Sequence, residues 1–126
     1  MRLVLDTTVL IDHLRGDARA RDLIADAVRN GDEIWSVTVV RTEVLAGMRS
    51  REEARTLSLL EELNWLDVTI EVADRAGDLA RRYLKSHRGV DTTDYILAAA
   101  CEILQARLFT SNVKHFPMIK GIKSAY

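Results

Sequence analysis

The chain has 126 residues, of which 48% are hydrophobic and 29% charged, with a formal net charge of −1. This length fits a single domain, residues 1–126, that can bury a core without disulfides, and the one cysteine, Cys101, excludes an internal disulfide. No apolar run reaches the ~18 residues of a membrane span, and Asp6 interrupts the first apolar run too early for a signal peptide. We therefore expect a cytoplasmic globular protein with no membrane partner and with Cys101 as a buried thiol. The near-zero net charge leaves a nucleic-acid partner open.

Short apolar runs alternate with longer segments of helical spacing, which predicts an α/β fold. In chain order we predict a strand at 3–5, helices at 8–15 and 18–29, a strand at 33–38, helices at 39–48 and 51–63, a strand at 65–69, helices at 71–85 and 93–105, a strand at 107–110 and a short edge strand at 121–124. Two of these helices have recognisable inward faces. The assigned residues are Leu23, Ile24, Ala27 and Val28 in the second helix, and Leu57, Leu60 and Leu63 in the fourth.

Helices separate the predicted strands, which favours parallel pairing with right-handed crossovers. The carboxyl ends of parallel strands share one rim of the sheet, and ligands of such sheets bind there. Asp6 follows the first strand at that rim, and Thr110 to Asn112 follow the fourth. The sequence therefore predicts a polar site at this rim.

Three acids lie in apolar surroundings where a solvated charge is not expected, namely Asp6, Glu43 and Asp94. Two have a structural explanation, because Asp6 can cap the helix that follows it, and Asp94 can be the third residue of a helix capped by Asp91. Glu43 has none, because its neighbours three and four residues away are small or apolar and no arginine shares its helical face. We expect Glu43 to be buried, with room beside it for a metal ion or a water.

Carboxylates that approach one another repel, and one takes up a proton at neutral pH unless a divalent cation neutralises them. An all-oxygen site suits Mg²⁺ or Mn²⁺. Zn²⁺ is disfavoured because the three histidines, His13, His87 and His115, lack the paired spacing of a zinc site, and we expect them to be surface or packing residues. The acids thus predict a metal-dependent hydrolase. Thr8 and Thr110 either bond to a carboxylate or phosphate oxygen or serve as plain turn hydroxyls.

Four segments of the sequence occur in a characteristic order and spacing: Leu5-Asp-Thr-Thr-Val-Leu-Ile-Asp, Thr42-Glu-Val-Leu-Ala-Gly, Asp94-Tyr-Ile-Leu-Ala-Ala-Ala and Leu108-Phe-Thr-Ser-Asn-Val-Lys-His-Phe-Pro. Together they resemble the PIN-domain ribonucleases, and more closely the VapC-type toxins of type II toxin–antitoxin pairs. The resemblance runs from residue 2 to about residue 122. It implies a three-layer α/β/α sandwich with a central parallel sheet. It also implies an endoribonuclease, dependent on Mg²⁺ or Mn²⁺, that hydrolyses phosphodiester bonds of structured RNA (tRNA or rRNA).

The resemblance also implies roles for individual residues. The residues that match the family's catalytic, metal-binding acids are Asp6, Glu43 and Asp94, which bind one or two Mg²⁺ or Mn²⁺ ions. The family often has a fourth acid near the end of the fourth strand, where this chain has Asn112 and His115. Asn112 is then expected at the metal site, orienting a water, while Asp91 is the alternative source of the missing charge.

Two basic clusters are candidates for contacting an RNA backbone, although charged residues of amphipathic helices normally just cover the wet face. They are Arg41, Arg49, Arg51 and Arg55, and Arg81, Arg82, Lys85 and Arg88. Aromatic residues are scarce, which favours a structured RNA read by shape over a stacked single strand.

The resemblance further implies two protein partners. A VapB-type antitoxin is expected to occupy the acidic groove with a basic side chain, and a second copy is expected to complete a homodimer. Apolar candidates for the dimer contact are Leu57, Leu60 and Trp65, although core packing explains each of them equally well. The alternative function is a catalytically inactive PIN-like module that acts by binding in a regulatory complex. The substituted fourth acid favours this alternative, whereas retention of three mutually repelling acids opposes it.

Overall fold

The computed structural model describes residues 1–126, which form one sheet and six α-helices. The strands are Arg2–Leu5 (β1), Glu33–Val37 (β2), Asn64–Leu66 (β3) and Arg107–Phe109 (β4). The helices are Thr7–Leu14 (α1), Ala18–Arg29 (α2), Thr38–Ala46 (α3), Glu53–Glu62 (α4), Ile70–Tyr83 (α5) and Thr92–Leu104 (α6), with short 3₁₀ turns at Ser50–Glu52 and Val113–His115.

The sheet is parallel throughout and has the order β3-β2-β1-β4. The steps from β1 to β2 and from β2 to β3 run in one direction along the sheet, whereas the step from β3 to β4 returns past both. Right-handed crossovers therefore place α1 to α4 on one face and α5 and α6 on the other. The expected three-layer α/β/α sandwich is confirmed.

Helix α6 is the most deeply buried helix, with nine of its 13 residues buried. It contacts β1, β2 and β4, and α5 packs against it. The small side chains of 98–100 allow close approach to neighbouring elements. Asp94 lies in the first turn of this helix, so the packing of α6 brings a carboxylate to the boundary of the core.

Two predicted strands differ from the structure by more than one residue at an end. The third strand ends at Leu66 because Thr69 starts α5, where its hydroxyl accepts a hydrogen bond from the N–H of Val72. Segment 121–124 is not a strand; Gly121 has a φ of 71°, and one backbone bond nearby, from Ala125 N–H to the carbonyl of Thr110, holds the segment beside the end of β4.

Two predicted inward side chains are exposed. Val28 is 64% exposed because the inward face of α2 is narrow, with Ala20 and Ala27 as its buried residues. Leu57 is 38% exposed because the inward face of α4, whose buried residues are Thr56, Leu59 and Leu60, is centred about 100° around the helix from Leu57.

The buried-thiol prediction for Cys101 is confirmed, and burial raises the pKa of the thiol to about 12. None of the helices is both long and apolar enough to span a membrane.

Candidate active site

Asp6 is buried at the carboxyl end of β1, where α1 begins. Its backbone N–H donates to the carbonyl of Phe109 at 3.0 Å, which joins the ends of β1 and β4. Its carboxylate accepts three hydrogen bonds, from Thr7 N–H (2.7 Å), the Thr110 hydroxyl (2.7 Å) and the Thr8 hydroxyl (3.4 Å). Burial raises the pKa of Asp6, and these bonds partly oppose the rise. Asp6 and Thr110 thus meet at the predicted rim, and of the two roles left open for Thr8 and Thr110, bonding to a carboxylate is the one observed.

Asp94 is also buried, and it forms a reciprocal cap with Asp91. The N–H of Asp91 donates to Asp94 Oδ2 at 3.0 Å, and the N–H of Asp94 donates to Asp91 Oδ1 at 3.1 Å. The pKa of Asp94 is raised to about 6, chiefly by burial; the charges of Asp91 and Asp6 contribute to the rise, and the bond from Asp91 N–H and the charge of His115 oppose it. The sequence offered a structural explanation for each acid, a helix cap at Asp6 and a capped third position at Asp94. Both explanations are correct, and the same two carboxylates also lie at the site.

The two buried aspartates have no lysine or arginine ion-pair partner. The only basic side chain in contact is His115, whose Nδ1 lies 3.1 Å from Asp94 Oδ2. The expectation that His115 is merely a surface or packing residue is wrong, because the Val113–His115 turn directs it to this carboxylate. The charges of Asp6 and Asp94 repel each other, and His115 is the one basic side chain that opposes this repulsion. A net negative charge therefore remains on the pair when both carboxylates are ionised.

Glu43 is exposed, which corrects the expectation of burial. The inward residues of α3 are Val40 and Val44, so Glu43 lies on the flank of the helix. It nevertheless reaches the site, because the hydroxyl of Thr7 donates to Glu43 Oε1 at 2.8 Å while the Thr7 N–H donates to Asp6. The bridging role of Thr7 was missed, and its only sequence signal is its position directly after Asp6.

Asn112 is half-buried beside the site. Its backbone N–H donates to the hydroxyl of Thr110 at 2.9 Å, and that hydroxyl in turn donates to Asp6. The next residue back, Ser111, donates its N–H to the Thr8 hydroxyl at 3.4 Å. The loop after β4 is thus tied to the Asp6 carboxylate through two threonines, while Asp91, which is exposed, acts as a helix cap.

The donor set of this site fits a hard divalent cation. No three His, Cys, Asp or Glu side chains lie close enough together to hold a metal ion by themselves. Mg²⁺ does not require this, because it is usually held by one or two carboxylates and completes its shell with waters and substrate phosphates. Asp6 and Asp94 supply two buried carboxylates without a lysine or arginine partner, and the neighbouring Thr110, Thr7 and Glu43 side chains carry oxygen donors.

The class of protein follows from the fold and this rim of acids. Residues 3–120 match the PIN domain family, so the chain belongs to the PIN-domain family. The predicted resemblance to this family is confirmed.

Similar proteins within this family are named as ribonucleases. The chain is 43% identical over 123 residues to Ribonuclease VapC19 of Mycobacterium tuberculosis, covering 98% of each chain. It is 38% identical over 125 residues to Ribonuclease VapC10 of the same organism, covering 98% of this chain and 92% of the relative.

Solved structures show the same fold. One is a toxin–antitoxin complex from Klebsiella pneumoniae (TM-score 0.77, 23% identity, 98% of both chains). Another is VapBC-1 from nontypeable Haemophilus influenzae (TM-score 0.78, 23% identity, 99% of this chain and 98% of the other).

Proposed function

We propose that the chain is the toxic component of a type II toxin–antitoxin system, a metal-dependent endoribonuclease that hydrolyses phosphodiester bonds of structured RNA (tRNA or rRNA). The observation that carries the proposal is the pair of buried carboxylates, Asp6 and Asp94, at the carboxyl rim of a PIN-domain sheet with no lysine or arginine to balance them. Relatives named as ribonucleases support it. A binding module would gain stability by replacing such acids.

The proposed cofactor is Mg²⁺ or Mn²⁺, held by Asp6 and Asp94, with Glu43 and Asn112 as the further predicted ligands. When bound, the cation supplies positive charge that polarises the scissile phosphate. The chain's own residues set the geometry around it. Thr7, Thr8 and Thr110 fix the Asp6 carboxylate.

Helix α6 and the Val113–His115 turn fix the position of the second carboxylate, Asp94. Asp91 N–H and the His115 ring orient the Asp94 carboxylate. Glu43 is the most exposed of the three acids and is held by a single side-chain bond from Thr7. This placement suits a group that either accepts the proton of the attacking water or closes the coordination shell when RNA binds.

The proposed protein partners are a VapB-type antitoxin and a second copy of the chain. Similar folds in complexes named VapBC support the first. An antitoxin arginine directed at the Asp6–Asp94 pair would relieve the repulsion there. Of the predicted dimer residues, Leu60 is fully buried and belongs to the core, which leaves the exposed Leu57 and the half-buried Trp65.

Cleavage of purified total RNA tests the function. The parent protein with Mg²⁺ or Mn²⁺ should give discrete fragments, while Asp6→Asn and excess EDTA should each leave the RNA intact. Asn keeps the helix-capping oxygen of residue 6, so this variant should fold. Intact RNA with folded, antitoxin-free parent protein would overturn the nuclease and favour the inactive binding module.

A further inference from the structure

The end of α1, the turn Ser50–Glu52 and the start of α4 border a solvent-open depression of about 530 Å³. Its lining includes four arginines, Arg15, Arg49, Arg51 and Arg55, and a single acid, Glu52. All four arginines are exposed, and none of them forms an ion pair. Glu52 already accepts a bond from the backbone N–H of Arg49 at 2.9 Å. The depression therefore carries a strong excess of positive charge on a protein whose net charge is −1.

Two arginines of the predicted basic clusters are engaged elsewhere. Arg41, predicted to act with Arg49, Arg51 and Arg55, lies instead over the ring of Trp65, 5.2 Å from its centroid. Arg81 of the second predicted cluster pairs with Asp78 at 3.3 Å. Arg15 was not anticipated because it is distant in sequence from the other three.

One arginine of the depression is held in place by the fold. Arg55 Nη2 donates to the carbonyl of Leu14 at 3.1 Å, at the last turn of α1. The carbonyl end of a helix favours a cation, so this bond fixes the guanidinium at the edge of the depression. The remaining N–H groups of a guanidinium are suited to bidentate contacts with phosphate oxygens.

Helices α1 and α3 connect the acids with the depression. Thr7 at the start of α1 bonds to Glu43 of α3, and further along the same helices Leu14 and Gly47 line one small cleft that Arg15 and Glu52 complete. Both helices thus lead from the acids toward the arginines. The eight residues of α1 span about 12 Å at 1.5 Å per residue, which corresponds to about three or four nucleotides of stacked strand at 3.4 Å each.

We propose that this arginine depression is a phosphate-binding subsite that holds the backbone of the RNA about three or four nucleotides from the bond being cut. The inference rests on the proposed function and deepens it. The four guanidinium groups neutralise backbone phosphates and release their counterions, which gives affinity without sequence preference.

The test is the salt dependence of RNA binding by fluorescence anisotropy, using a labelled 20-nucleotide RNA in EDTA so that metal-dependent cleavage does not occur. The double variant Arg15→Gln/Arg51→Gln removes two exposed charges whose side chains form no hydrogen bond or ion pair within the protein. Its plot of log affinity against log salt should be shallower than the parent's by about 1.5, or ~0.7 to 0.9 per lost phosphate contact. The matched control, Lys120→Gln/Lys123→Gln, removes two exposed cations that form no ion pair and belong to neither predicted basic cluster, and it should keep the parent slope. Equal slopes for the two double variants would overturn the subsite.

Cleavage kinetics separate failure of the subsite from failure of the proposed function. If the parent cleaves RNA, Arg15→Gln/Arg51→Gln should raise KM severalfold with little change in kcat, because a contact remote from the scissile bond acts on ground state and transition state alike. Cleavage with unchanged KM and an unchanged salt slope would overturn the subsite and leave the nuclease standing. If the parent cuts no RNA but Arg15→Gln/Arg51→Gln has a shallower salt slope than the parent, the subsite is supported and the nuclease is refuted.

Discussion

At the scale of single residues, the ionised carboxylate of Asp94 works against the stability of the metal-free fold. Its pKa is about 6 in the folded state against an ordinary 3.8, so the folded state holds the proton more tightly than the unfolded state. Stability therefore falls as pH rises between these two values, and the full penalty remains above pH 6. The same residue is proposed as a metal ligand, which explains why a destabilising charge is kept.

Asp94→Asn should stabilise the protein in EDTA at pH 7.5 by about 1–3 kcal/mol, since one pKa unit corresponds to about 1.4 kcal/mol. The gain should shrink toward pH 4.5, where Asp94 is protonated in the parent. Urea unfolding at both pH values measures this. A variant less stable than the parent at pH 7.5 would mean that the cap to Asp91 N–H outweighs the relief of repulsion.

His115 is expected to act as a positioning residue through its contact with Asp94. His115→Ala should lower metal affinity and RNA cleavage by about 10–100-fold, the usual effect of removing a group that orients a metal ligand. Mn²⁺ titration provides a readout that does not depend on cleavage. The control is His87→Ala, which removes an exposed histidine that bonds only to Ser86; equal losses in both variants would contradict the assignment.

At the scale of elements, the reciprocal cap at the start of α6 couples helix stability to the geometry of the site. Asp91→Ala should cost about 1 kcal/mol of unfolding free energy and should also reduce cleavage, because the backbone N–H of Asp94 loses the acceptor that fixes the first turn of α6. Asp91→Asn should recover both. Asp17→Ala removes the corresponding cap of α2, so it should lower stability similarly while cleavage at a temperature where the protein is folded stays near the parent rate. Comparable cleavage losses in the two alanine variants would attribute the effect to stability alone.

The elements also show what the sequence could and could not predict. The caps at Asp6 and Asp91 were predictable because a helix cap involves residues within one turn. The bonds from Thr7 to Glu43 and from His115 to Asp94 span 36 and 21 positions, and they depend on how α1 meets α3 and how the last turn meets α6. Periodicity also placed Glu43 on an inward face, because apolar neighbours alone do not distinguish the centre of a helix face from its flank.

For the whole molecule, a cation that binds only the folded state should raise thermal stability. Mn²⁺ at 100 times its Kd should raise the melting midpoint of the parent by roughly 8–16 °C, since such a ligand concentration adds about 2.7 kcal/mol and 1 kcal/mol corresponds to roughly 3–6 °C for a domain of this size. Asp6→Asn should start from an equal or higher midpoint in EDTA, because it relieves repulsion, and should lose most of the Mn²⁺ response. Glu43→Gln decides the role of the third acid: a lost Mn²⁺ response makes Glu43 a ligand, whereas a retained response with lost cleavage makes it the proton acceptor. An unchanged melting midpoint of the parent at millimolar Mn²⁺ would contradict the metal-dependent mechanism, because a cation bound by the two buried carboxylates of the folded state must raise that midpoint.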